Sequence, residues 1–223
     1  IGQFRSPSRV VLGTSGRLYV ADTGNDRIVV MNPSGEWLYE ITARLDSNMA
    51  LEGPAGLAVV EGEDPWISTP ESFMVVADRA GGRLIKLTLE GRVRSVVDAG
   101  SLSEEGARFD YLAVDYYGSV YVTDRVNCRI RKFDRDLRFI TTVGRPGTGD
   151  MELDEPRGIT LYRRFGQVFV TERAGAQYFW IGRDILDARA EPASIAAGSE
   201  KMQVRYFLTE VARVDLELYD DSG

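Results

Sequence analysis

Leu18-Tyr-Val-Ala-Asp22, with Arg27 five residues after the acid and a second apolar run Ile28-Val-Val-Met31 behind it, is the unit whose repetition decides the fold. It returns as Met74-Val-Val-Ala-Asp78 with Arg83 and Leu84-Ile-Lys-Leu87, and as Val120-Tyr-Val-Thr-Asp124 with Arg129 and Ile130-Arg-Lys-Phe133. A fourth copy, Val168-Phe-Val-Thr-Glu172, has Gln177 in place of the arginine and continues as Tyr178-Phe-Trp-Ile181. The acids lie 56, 46 and 48 residues apart. A period of about 40 to 50 residues marks an array in which each unit buries its faces against its neighbours.

Each copy reads as a β-hairpin. Thr23-Gly-Asn-Asp26, Arg79-Ala-Gly-Gly82 and Arg125-Val-Asn-Cys128 sit between acid and arginine, and their Gly and Asn residues tolerate the positive φ of tight turns. The first strand of each hairpin is apolar on both faces, as a strand sandwiched between neighbouring sheets would be. Further short strands precede it: Val10-Val-Leu12, Gly56-Leu-Ala-Val59 and Gly158-Ile-Thr-Leu161, each behind a proline-bearing stretch ending at Pro7, Pro54 or Pro156. The third copy, Phe109-Asp-Tyr-Leu-Ala-Val114, keeps an aromatic and loses the proline.

In these residues the chain resembles the NHL repeat family, whose pattern is an opening Phe-x-x-Pro, a Gly-Ile-Ala-Val strand, a Gly-x-Val-Tyr-Val-Ala-Asp strand, then Asn-x-Arg-Ile and an aromatic. The resemblance covers about residues 1–185. It implies an all-β chain, an NHL-type β-propeller of four-stranded blades, with four blades visible as part of a six-bladed ring. The second copy carries an insertion, Glu61-Gly-Glu-Asp-Pro-Trp-Ile-Ser-Thr-Pro-Glu-Ser72, which must emerge as a loop, because a propeller core has no room for it.

The repeat stops near Asp187, and an Ala-rich stretch with Pro192 reads as a linker over residues 186–201. Beyond it, Met202-Gln-Val-Arg-Tyr-Phe-Leu208 and Ala212-Arg-Val-Asp-Leu-Glu-Leu-Tyr219 alternate with period two and predict strands of a different sheet. Residues 202–223 resemble the opening of the immunoglobulin-like module of flagellar hook-capping proteins and of the C-termini of secreted bacterial proteins. That implies a partial β-sandwich whose open edge is a template for self-association.

Composition limits the chemistry. Net charge is −7, which disfavours a nucleic-acid partner. No apolar run approaches the roughly 20 residues that span a bilayer. Cys128 is the lone cysteine and the chain has no histidine. An imidazole-bound zinc of the kind found in the peptide-amidating lyase, and Ser–His catalysis, therefore cannot be built from this stretch. No compact Asp-x-Asp-x-Asp-Gly loop marks a calcium site, and neither a cofactor nor a metal is expected. The chain opens at Ile1-Gly-Gln-Phe4 with neither an initiator methionine nor a signal segment, and reads as the interior of a larger protein.

The paired residues Asp22 and Arg27, Asp78 and Arg83, Asp124 and Arg129, Glu172 and Gln177 admit two readings: a ring of carboxylates for a cation, or a turn-capping ion pair repeated in each blade. Their register favours the second. The basic run Arg125, Arg129, Arg131, Lys132, Arg135 and Arg138 reads as a solvated blade face, with Asp124, Asp134 and Asp136 interleaved. Tyr178-Phe-Trp180 reads as blade core, whereas Trp66 on the insertion and Tyr116 and Tyr117 before a turn glycine are candidates for contact with a partner. The expected function is a non-catalytic protein-binding or scaffolding subunit of a large bacterial assembly, periplasmic or extracellular. The alternatives are a carboxylate-metal lactonase or hydrolase and a nucleic-acid-binding propeller.

Overall fold

The computed structural model describes residues 3–42, 50–79, 82–102, 107–163, 166–180, 185–192, 202–208 and 214. The chain divides into two compact units, Ile1–Ile181 and Gly182–Gly223.

The first unit is built of antiparallel sheets that follow one another along the chain. Strands β1 (Arg9–Leu12), β2 (Leu18–Asp22), β3 (Arg27–Met31) and β4 (Trp37–Ile41) form the first sheet in chain order. Strands β5 (Pro54–Val60), β6 (Phe73–Asp78), β7 (Arg83–Leu87) and β8 (Val93–Asp98) form the second. The third holds β9 (Phe109–Val114), β10 (Val120–Asp124), β11 (Arg129–Phe133) and β12 (Phe139–Val143). A short parallel pair, β13 (Arg145–Pro146) and β14 (Glu152–Leu153), leads to a three-stranded sheet of β15 (Ile159–Tyr162), β16 (Gln167–Thr171) and β17 (Ala176–Trp180).

The leading strands adjoin from sheet to sheet, β1 against β5, β5 against β9 and β9 against β15. Burial follows from this stacking: every residue of β5, β6 and β10 is buried. One apolar cluster joins the first two sheets through Tyr19, Ile28, Leu57, Met74 and Ile85, and another joins the second and third through Val75, Leu84, Leu112, Val122 and Phe133. A third, around Tyr121, Ile130, Ile159 and Val168, binds the third to the fourth.

The fourth sheet departs from the expectation of a strand buried on both faces. Phe169, Tyr178 and Trp180 are 45%, 46% and 59% exposed and stack on one another, with centroids 4.8 and 4.9 Å apart. Only Phe179, on the opposite face, packs into the core. The aromatic run is therefore not blade core: period-two alternation turns Tyr178 and Trp180 to the face that no described sheet covers.

In the second unit, β18 (Ile185–Glu191) pairs antiparallel with β19 (Gln203–Leu208). Most of β18 lies in the stretch read as a linker. The second expected strand of this region, residues 212–219, lies outside the described residues apart from Val214.

Candidate functional site

The acid of each hairpin turn is a buried junction. Asp22 accepts hydrogen bonds from the Arg5 N–H at 2.7 Å, the Asn25 amide at 2.8 Å and Arg27 Nε at 2.8 Å. Asp78 accepts the Glu52 N–H at 2.7 Å and two donors of Arg83 at 3.0 and 2.9 Å. Each carboxylate thus ties its turn both to its own sheet and to the segment that leads into that sheet. Burial works to raise both carboxyls. For Asp22 the donors Asn25, Arg5 and Arg27 prevail and hold it below the ordinary carboxylate value. For Asp78 burial prevails over the Arg83 and Glu52 N–H donors, with the Glu52 charge adding to it, and pushes the carboxyl up.

The third copy corrects the expected pairing of Asp124 with Arg129. The two residues are in register, but the carboxylate is engaged by Arg131 Nε at 2.9 Å and by Asn127 at 2.9 Å, while Arg129 Nε donates to the Asn127 carbonyl. Arg129 and Arg131 share a face of β11. Arg131 prevails because it also reaches the Leu102 carbonyl at 3.1 Å, as Arg83 reaches that of Ala50 at 2.8 Å. In the fourth copy Gln177 bonds Glu172 at 3.1 Å and the Glu152 carbonyl.

The basic run of the third copy is not one solvated face. Arg131 and Lys132 are buried, Lys132 lying over the Tyr121 ring at 5.0 Å with Asp115 at 4.0 Å. Lys86 occupies the same place in the second sheet, 4.4 Å from the Phe73 centroid and 3.1 Å from Glu71. Arg135 and Arg138 are exposed.

The turns joining the first and second strands of successive sheets carry the densest inter-sheet chemistry, and the insertion at 61–72 is its centre. Glu61 accepts from the Ser15 N–H at 2.6 Å, Ser15 Oγ at 2.7 Å, Thr14 Oγ1 at 2.8 Å and Tyr19 Oη at 3.2 Å. Burial would raise this carboxyl, yet those donors hold it below its ordinary value. Ile67 sinks into the core between the second and third sheets. The Ser68 N–H bonds the Tyr116 carbonyl at 2.8 Å, and Asp64 pairs with Arg163 at the end of β15. The loop is thereby pinned to all four sheets or their turns.

This seating bonds the loop that carries Trp66 to the turn that carries Tyr116 and Tyr117. Trp66 is 46% exposed and lies two residues from the bond to Tyr116, itself 39% exposed. Tyr117 is half-buried and stacks edge-on against Tyr116 at 5.2 Å. Sequence reading found the aromatics and missed Glu61, Asp64 and Arg163, whose partners lie in other copies of the repeat. Elsewhere, an open groove of about 470 Å³ at the last hairpin turn is lined by Asp150, Asp154, Glu172 and Tyr178 among others. No group of three or more His, Cys, Asp or Glu side chains is placed to hold a metal ion among the described residues. No described helix is long and apolar enough to cross a membrane.

Among protein families, the NHL repeat matches residues 4–31. Curated proteins yield no significant match. Solved structures resemble the chain in fold. Virginiamycin B lyase from Staphylococcus aureus, a catalytically inactive variant with quinupristin, aligns with a TM-score of 0.53 at 15% identity over 81% of this chain and 57% of that one. The Malassezia sympodialis allergen Mala s 1 gives 0.57 at 16% over 78% and 60%. The β-propeller domain of Cps50 (Swd1) from Myceliophteria thermophila gives 0.57 at 9% over 79% and 51%. The chain thus spans little more than half the length of such proteins. The stacked sheets, these likenesses and the NHL match at residues 4–31 together make this an all-β chain with a β-propeller fold that carries an NHL repeat.

Proposed function

We propose that this chain is a non-catalytic binding propeller, a subunit that holds another protein within a bacterial assembly outside the cytoplasm. The insertion at 61–72 carries the reading: it is clamped at Glu61, Asp64, Ile67 and Ser68, presents Trp66 to solvent, and is bonded through Ser68 to the exposed Tyr116. Binding residues concentrate on loops held by a rigid scaffold, and Trp and Tyr dominate the energetic centres of protein interfaces. The lack of histidine within these 223 residues agrees with a binding role. The location rests on the resemblance of residues 202–223 to modules of secreted bacterial proteins, and attachment through that module is part of the proposal.

Tagged protein and the double variant Trp66→Ala/Tyr116→Ala, expressed in the source organism and compared by quantitative mass spectrometry, test this. A protein recovered with the parent and depleted roughly tenfold or more with the variant is expected. Equal recovery by both, with the variant folded, contradicts the assignment of the site. An enzymatic reading, of the lyase or lactonase kind, draws on the fold likeness to virginiamycin B lyase; metal analysis and lactone screening of the purified protein test it.

A further inference from the structure

We infer that the cleft between the second, third and fourth sheets is an oxyanion-binding site that takes a phosphoryl or carboxylate group of a small ligand. A cavity of about 220 Å³ is lined by Arg79, Arg108, Asp110, Tyr111, Arg125 and Arg157. These residues come from different repeats. Arg79 and Arg125 each follow the turn acid of their hairpin, Arg108 to Tyr111 run into and along β9, and Arg157 precedes β15.

Backbone bonds fix them. The Arg79 N–H reaches the Gly53 carbonyl at 3.2 Å, the Arg125 N–H that of Arg108 at 3.3 Å, and the Arg157 N–H that of Thr171 at 2.7 Å. Thr123 Oγ1 holds the Arg157 carbonyl at 3.1 Å.

Four arginines line the cavity with one acid, Asp110, which is 3% exposed and lies 2.6 Å from Arg79 Nε and 3.7 Å from Arg108 Nε. Glu155 approaches Arg157 at 3.5 Å from outside the lining. The lining thus carries three positive charges in excess, in a chain whose net charge is −7. Like charges gathered in a partly desolvated cleft repel one another unless an anion joins them, and guanidinium forks match the oxygens of phosphate and carboxylate. The corresponding junction between the first two sheets has no such charge: Ser8 and Thr23 bond each other at 2.7 Å there and reach the Ala55 and Pro54 carbonyls.

The test titrates pyrophosphate and citrate into the purified protein at constant ionic strength by calorimetry. Saturable one-to-one binding of either anion is expected, and their relative affinity distinguishes a phosphoryl from a carboxylate source. Arg125→Gln/Arg157→Gln spares the buried Asp110 pair and is expected to weaken binding at least about tenfold. Arg135→Gln/Arg138→Gln, the same change of charge in the turn between β11 and β12, is expected to leave it within about twofold. Absence of saturable binding, or equal weakening by both double variants, would overturn the site.

Discussion

Gly82, Asp26 and Cys128 occupy one position of the repeat, and all three have left-handed backbone, with φ of 62°, 53° and 49°. An L side chain costs about 1 kcal/mol in that region. At Gly82 a Cβ would meet nothing within 4 Å, so Gly82→Ala isolates the backbone effect. A loss of about 1 kcal/mol in denaturant unfolding is expected, and Cys128→Gly is expected to stabilise by about 0.5 kcal/mol. The turn was legible in sequence from its Gly and Asn residues, but a cysteine gives no sign of left-handed backbone. Glu61 supplies a prediction with a pH signature. Its folded-state pKa is depressed, so its contribution is fully present above the unfolded value of about 4.3 and is lost as pH falls below it. Glu61→Gln should cost about 2 kcal/mol at pH 7, and the gap to the parent should narrow progressively as pH falls below the unfolded value of about 4.3. A gap that stays constant from pH 7 to 3 would place the stabilisation elsewhere.

At the scale of elements, the hairpins and the acid-to-arginine register were readable because period-two apolar runs and turn residues recur in phase. The outer strands β4, β8 and β12 were not, since each is partnered on one edge and keeps a wet face; Val93–Asp98 alternates half-buried with exposed. Strand β18 was hidden for another reason: alternation in Ile185–Glu191 is carried by alanines, too small to stand out from a linker. The choice between Arg129 and Arg131 is likewise invisible in spacing, because both lie on one face and the deciding acceptor, Leu102, sits in a distant connection. Removing one partner of a buried pair costs about 3 to 5 kcal/mol. Arg131→Gln should therefore unfold the protein at markedly lower denaturant concentration, while Arg129→Gln should change stability by less than about 1 kcal/mol. Reversed magnitudes would restore the pairing read from register.

For the whole molecule, what the repeat could not show is what neighbouring copies build together. The insertion clamp draws Asp64 to Arg163, 99 residues away, and the anion cleft draws on three repeats. The propeller's two end faces also belong to this scale. Val10 and Leu12 are 59% and 68% exposed on the first sheet, as Trp180 is 59% exposed on the fourth, on faces that no described sheet covers. Whether the propeller holds another protein, as proposed, is decided by the mass of the gently purified native assembly, with its components identified. A stable heteromeric complex that Trp66→Ala/Tyr116→Ala dissociates is expected; a monomer that elutes alone would contradict the proposal.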